Sequence, residues 1–279
     1  MTDLGADGPT PAPTSHGTRR VEEVALAGGM GSGGAVVRVG DTVRRPVRPF
    51  SPAVAAFLRH LEAVGFDGAP RYLGIDEQGR EVLTFIEGQV GTPPYPAWVG
   101  DDTILLGVAR LQRALHGAAA SFVPPTYAVW DRPNLPSARA GALVCHNDLC
   151  VENVIVRDGR VVAFIDFDFA APSDRLLDIA IAARHWIPMR DPVDIDPALA
   201  GLAQVARFRS FAEAHGLDRA GREGVIAHLG PFLDRALVAM RRRAESGLEA
   251  YVRAWEGGYP DQNRRSRAWL DAHAGDLVG

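Results

Sequence analysis

The spacing of apolar residues divides this chain in two. From about Val21 to Ile86 they alternate with polar residues in short runs, "VEEVALA", "AVVRV", "TVRRP", "RYLGID" and "EVLTFIEG". A period of two predicts half-buried strands. The glycine-rich stretch 28–34, the Gly40-Asp41 pair and "EQGR" lie between these runs and predict turns. One segment differs: "SPAVAAFLRHLEAVG" opens on Ser-Pro, sets Val54, Phe57, Leu58 and Leu61 on one face and stops at Gly65. It predicts a helix over 52–64. Past Gly88 the Pro- and Gly-rich "GQVGTPPYPAWVG" interrupts the pattern, and helical spacing follows over 101–119, 174–187, 197–215, 219–246, 248–256 and 261–274. Only "NVIVRD" and "VVAFIDF", around Gly159, predict strands in this half.

These elements imply an α+β architecture: a small strand-rich lobe over 21–88, a linker over 89–100 and a larger helical lobe over 101–279, with a cleft between the lobes. Residues 1–20 are rich in Pro, Gly, Thr and Ser with few large apolar side chains, and predict a disordered tail. At 279 residues and 47% hydrophobic, the chain has material for a large core. A net charge of −4 gives no reason to expect nucleic acid or an acidic membrane as partner. No apolar run approaches the ~20 residues that span a bilayer, and the N-terminus lacks a signal-peptide layout. Cys145 and Cys150 match neither a zinc pattern nor a disulfide framework, so a reduced, cytoplasmic setting is expected. All 30 basic residues are arginines.

Chemistry concentrates in "LVCHNDLCVENVIVRDGRVVAFIDFDFA", residues 143–170. His146, Asp148 and Asn153 form H-x-D-x-x-x-x-N, and Asp166 follows on the next predicted strand. An Asp there can accept the proton of an attacking hydroxyl, while an Asn amide oxygen and a carboxylate suit Mg²⁺ beside phosphates. His146 would support the loop. Each residue alone fits a turn or cap, but four in register on a strand, turn, strand frame favour a phosphoryl-transfer site. Gly29, Gly31 and Gly34 form G-x-G-x-x-G between two predicted strands, the context of a kinase phosphate-covering loop; Ser32 adds a hydroxyl to it.

Together these segments resemble the aminoglycoside phosphotransferase family of small-molecule kinases, with its two-lobed protein-kinase-like fold. "VCHNDLCVENVIV" is similar to that family's catalytic loop, "FIDFDFA" to its metal-binding segment and "DRLLDIA" to the helix start that follows. The resemblance implies transfer of the γ-phosphate of ATP or GTP to a hydroxyl of a small molecule, such as an aminoglycoside or another antibiotic. It makes Asp148 the catalytic base, Asn153 and Asp166 the Mg²⁺ ligands, Asp178 a buried anchor of the catalytic loop, and the backbone from Phe85 to Glu87 the adenine hinge. Where such kinases carry a strand lysine on the phosphates, this chain offers Arg44 or Arg45, and strand alternation does not choose between them. The helix 52–64 has no carboxylate near Val54 to partner that cation, and Glu62 falls at its solvated end. Asp168 stands where a glycine commonly follows the metal-binding Asp. The missing lysine and helix glutamate motivate a rival reading, a catalytically silent nucleotide- or ligand-binding protein; the joint presence of Asp148, Asn153 and Asp166 argues against it. A protein kinase fits less well, since no A-P-E motif follows.

Other features carry bland expectations. Arg241–Arg243 with Glu245 and Glu249 predict a solvated, paired helix face. His116 and the helical tryptophans predict packing, and Asp196 before Pro197 predicts a helix start.

Overall fold

A computed structural model describes residues 22–26 and 36–279. The tail 1–20 and the loop with Gly29, Gly31, Ser32 and Gly34 lie outside them. The first half begins with the strands β1 (Glu23–Ala25), β2 (Val37–Val39) and β3 (Thr42–Pro46), continues through helix α1 (Ser51–Ala63), and ends with β4 (Tyr72–Ile75) and β5 (Arg80–Thr84). The strands form one antiparallel sheet in the order β1-β2-β3-β5-β4. Sequence order is broken once, because α1 carries the chain across the sheet before β5 returns to pair with β3. Arg45 thereby lies opposite Glu81.

After β5 the chain passes Gly88 and pairs Gln89 with Val156 by two backbone hydrogen bonds. Gly88 has φ 151°, and a Cβ there would lie 2.4 Å from Ile155 Cγ2 and 2.8 Å from the Val156 carbonyl oxygen. Only glycine makes this crossing without displacement. Helix α2 (Asp102–Ala119) follows, then β6 (Leu143–Cys145), β7 (Val154–Arg157), β8 (Arg160–Phe164) and β9 (Ala171–Ser173). β7 pairs with β8 as the alternation predicts, whereas β6 and β9 form a ribbon that it does not reveal. At three residues each, these two strands are too short to show a period. The helices α3 (Arg175–Trp186), α4 (Gln204–Ala214), α5 (Arg219–Glu245), α6 (Glu249–Glu256) and α7 (Tyr259–Val278) complete the chain.

The helix expected over 197–215 is in fact a 3-10 turn at Pro197–Leu199 and, after Gly201 at φ 76°, the separate helix α4. Asp196 does cap this turn, accepting from the Ala198 N–H at 2.9 Å. Asp174 and Asp218 cap α3 and α5 in the same way. Arg241 pairs with Glu245 as expected, while Glu249 pairs with Arg253 within α6. Both cysteines are free. No described helix is long and apolar enough to cross a membrane.

One apolar core runs through both halves, from Val54, Phe57 and Leu61 of α1 through Leu105 and Val108 of α2 to Trp186 of α3 and Leu277 of α7. Phe57 meets Phe167 edge-on at 6.2 Å, so α1 packs directly on the segment that follows β8. At the end of α4, His215 is buried against Phe211, and its Nε2 has no partner. Burial, helped by the neighbouring His116, pushes its imidazole down to about 3. The ring is therefore neutral in the folded state but takes a proton near pH 6.5 when unfolded. Its contribution to stability is complete above about pH 6.5 and is lost as the pH falls towards about 3. His215→Gln should flatten the acid limb by up to about 1.4 kcal/mol per pH unit below about pH 6.5. Urea denaturation across that range checks this.

Candidate active site

The site is built where β6 ends and the chain must turn. Asn147 has φ 63°, in the left-handed region that Asn tolerates better than most residues. Its amide nitrogen reaches the carbonyls of Cys145 (3.0 Å), Phe169 (3.1 Å) and Ala171 (3.2 Å), so it stitches β6 to β9. The backbone N–H of Asn147 donates to Asp178 Oδ1 at 2.6 Å. Asp178 is fully buried at the start of α3, and its other oxygen accepts from Gln112 Nε2 (2.8 Å) and faces His116 Nε2 (2.7 Å). Burial alone would raise this carboxyl; the hydrogen bonds from His116 and Gln112 hold it below its ordinary range. His116 is thus a packed histidine whose packing partner is the loop anchor.

His146 lies buried between Phe164 and Phe167, with its Nε2 at 2.9 Å from the Ile165 carbonyl. Burial holds the imidazole below its ordinary pKa. Its contacts fix the loop to the segment after β8, and it does not face the cleft chemistry directly. Asp148 comes next, half-buried. Asn153 Nδ2 donates to both the Asp148 carbonyl (2.7 Å) and Asp148 Oδ2 (3.1 Å). Enclosure by protein, then the charge of Asp166, push the Asp148 carboxyl up to about 7, against the pull of Asn153.

Asp166 also has left-handed backbone, at φ 60° and ψ 65°. Its side chain keeps 42% of its surface open to the cleft. Surrounding protein and then Asp168 raise its carboxyl, Arg45 lowers it, and solvent in the cleft moderates all three. The donor set suits Mg²⁺: both Asn153 amide protons point to Asp148, so its oxygen is left as a hard ligand beside an open carboxylate.

Of the two candidate arginines, Arg45 faces this cluster. Its Nη1 lies 2.5 Å from Asp168 Oδ1 and 3.8 Å from Asp166 Oδ1, and its Nε donates to Glu81 Oε2 at 3.0 Å. Burial works against the charge, but Asp168, Glu81 and Asp166 outweigh it and hold the guanidinium protonated. Arg44 lies on the opposite face of β3, 3.4 Å from Asp76. The carboxylate that α1 lacks is thus supplied by the neighbouring strand. Glu81 is 1% exposed and directly across from Arg45, whereas Glu62 is exposed at the end of α1. Sequence reading missed Glu81 because nothing along the chain says that β5 pairs with β3.

The segment expected as hinge leaves β5 here. Phe85 donates its N–H to the Asp41 carbonyl at 2.8 Å, and its ring lies 3.7 Å beneath the Arg38 guanidinium, which also pairs with Glu87. A further contact joins the linker to the catalytic loop: Tyr95 Oη donates to Glu152 Oε1 at 2.9 Å.

A model of the phosphotransferase enzyme family matches residues 127–217, which carry the whole loop and metal segment. The trifolitoxin immunity protein of Rhizobium leguminosarum bv. trifolii is 32% identical over 258 residues, covering 90% of this chain and 91% of that protein. Among solved structures, a choline/ethanolamine kinase family protein from Mesorhizobium loti superposes with a TM-score of 0.63 at 15% identity, covering 94% of this chain and 95% of its own. An amicoumacin kinase, solved with AMP-PNP, Ca²⁺ and its antibiotic, gives 0.61 at 11% identity over 90% of this chain and 88% of its own. The fold is therefore the two-lobed kinase-like α+β fold, and the chain belongs to the phosphotransferase enzyme family, that of the aminoglycoside phosphotransferases.

Proposed function

We propose that this protein transfers the γ-phosphate of ATP or GTP, with Mg²⁺, to a hydroxyl of a small molecule. The observation that carries this reading is the convergence of Asp148, Asn153, Asp166 and Arg45 from three segments of the chain. Asp148 accepts the acceptor's hydroxyl proton, and its elevated pKa suits a base working near neutrality. Asn153 and Asp166 would hold the metal, which when bound neutralises phosphate charge. Arg45 grips the phosphates, kept in place by Glu81. Most of the catalysis is positioning and charge neutralisation.

In this reading residues 21–88 form the nucleotide lobe, 89–100 the linker and 101–279 the catalytic and acceptor lobe. Gly29, Gly31, Ser32 and Gly34 cover the phosphates, and the backbone from Phe85 to Glu87 receives the base. His146 and Asp178 hold the loop. Dependence on a nucleoside triphosphate fits a cytoplasmic protein. The immunity function in the name of one relative and the antibiotic bound by one structural neighbour favour an antibiotic or toxin as acceptor. Of the two features behind the silent-binder reading, the missing lysine and the missing helix glutamate, the pairing of Arg45 with Glu81 weakens the second.

Asp148→Asn should lower turnover by about 10² to 10⁴ while leaving nucleotide binding intact. Asp166→Asn should abolish the metal-dependent part of nucleotide binding. Calorimetric titration with ATP and GTP, with and without Mg²⁺, separates the two; full activity in either variant sinks the reading. Arg45→Met should cost about 3–5 kcal/mol of stability, because Glu81 is left as an uncompensated buried charge. Arg45→Met with Glu81→Met should regain most of that stability without regaining nucleotide affinity, which denaturation and titration of the same samples will test.

A further inference from the structure

Beyond the reacting centre, a second cluster of charge lies against the catalytic loop. α3 ends beneath that loop, where Trp186 Nε1 donates to the Leu149 carbonyl at 3.1 Å. Two residues before Trp186 stands Arg184, and four after it Arg190. The turn between them is pinned from α4, where Gln204 Nε2 donates to the carbonyls of Pro188 and Arg190. Arg190 Nη2 approaches only the Arg184 carbonyl, at 3.4 Å, and its buried Nε has no hydrogen-bond partner. The Arg184 side chain makes no hydrogen bond or ion pair to any described residue. Both side chains are only half-buried, so each presents part of its surface to the surrounding space.

Two arginines crowded together without an acid between them are costly to fold around. Burial first, and then the charge of Arg190, push Arg184 down to about 10; burial lowers Arg190 as well. His185, between them in sequence, is driven far below its usual range by burial and by both arginines, so it stays neutral. Asp194 and Glu152 lie within electrostatic reach of Arg190 and favour its charge, but neither forms an ion pair with it. Asp194 takes both Nε (2.8 Å) and Nη2 (2.5 Å) of Arg265, and Glu152 accepts the Tyr95 hydroxyl. Through Trp186, the end of α3 that leads from Arg184 to Arg190 is tied to the loop one residue past Asp148.

We propose that Arg184 and Arg190 form an anion-binding subsite for the acceptor, so that the molecule phosphorylated carries a carboxylate or phosphate group near its reacting hydroxyl. The anion supplies the counter-charge that the fold withholds, and two guanidinium groups grip a planar or tetrahedral oxyanion with geometric selectivity. A polycationic aminoglycoside is repelled there. The inference rests on the phosphotransferase reading for what the bound anion is part of, but the anion site itself does not need turnover.

The test measures thermal midpoints of the wild type, Arg184→Gln, Arg190→Gln and Arg190→Lys, alone and with glucuronate, glucose 6-phosphate, glucose or glucosamine. The wild type should be stabilised by at least one acidic probe and by neither glucose nor glucosamine. Which acid responds distinguishes a carboxylate from a phosphate subsite. Both Gln variants should have higher midpoints than the wild type without additive, because a destabilising charge is gone, and should lose the acid response. Arg190→Lys should keep part of it. An absent acid preference, an equal response to glucosamine, or Gln variants that melt lower or fail to fold overturns the proposal. If nucleotide binds with metal but the acids are ignored, only this inference fails; if the acids bind and nucleotide does not, only the phosphotransferase reading fails.

Discussion

The loop that carries Asp148 and Asn153 hangs from one buried carboxylate. Asp178 has no solvent exposure, and a charge so placed is tolerable only when its partners are complete. It takes those partners from two parts of the chain: Gln112 and His116 on α2, and the backbone of Asn147 in the loop after β6. Because the carboxylate cannot give up any of them cheaply, the loop is tied to two helices of the core. Asp148 follows the left-handed turn at Asn147, and the Asn147 side chain ties that turn to Phe169 and Ala171. A buried charge thus fixes the position of a neighbour that must remain accessible.

The absence of lysine imposes a second constraint, and the sheet answers it locally. A guanidinium is longer and planar, with donors on more than one side. Arg45 uses Nε towards Glu81 within the sheet and Nη1 towards Asp168 and Asp166 across the cleft. A helix glutamate reaching in from α1 is unnecessary when the adjacent strand already places a carboxylate against the shaft of the fork. Asp168 fits the same logic, since its added carboxylate meets an arginine that a glycine there would leave less balanced.

The two groups of arginine differ in an instructive way. Arg45 is ringed by three carboxylates and is held protonated, whereas neither Arg184 nor Arg190 forms an ion pair with a described carboxylate. Residues of one type, in one chain, thus have opposite electrostatic surroundings. Stability alone does not select the second arrangement, which is why it points to a ligand.

Much of this protein is legible along the chain. The switch from period two to helical spacing marks the sheet and most of the helices, because these patterns are local consequences of burying one face. The spacing His146, Asp148, Asn153 and then Asp166 is what raises the expectation of phosphoryl transfer, because a kinase catalytic loop uses those residue types at those intervals. Tertiary structure decided what depends on partners distant in sequence: that β5 returns beside β3, which sets Glu81 against Arg45 and turns Arg44 away; that β6 and β9, too short to show a period, pair; and that Gln112 and His116, polar positions on an apolar face of α2, meet Asp178. The reason is the same in each case. A pattern along the chain records which face of an element is buried, but not what it is buried against, and charges far apart in sequence find each other only when the core that separates them is packed.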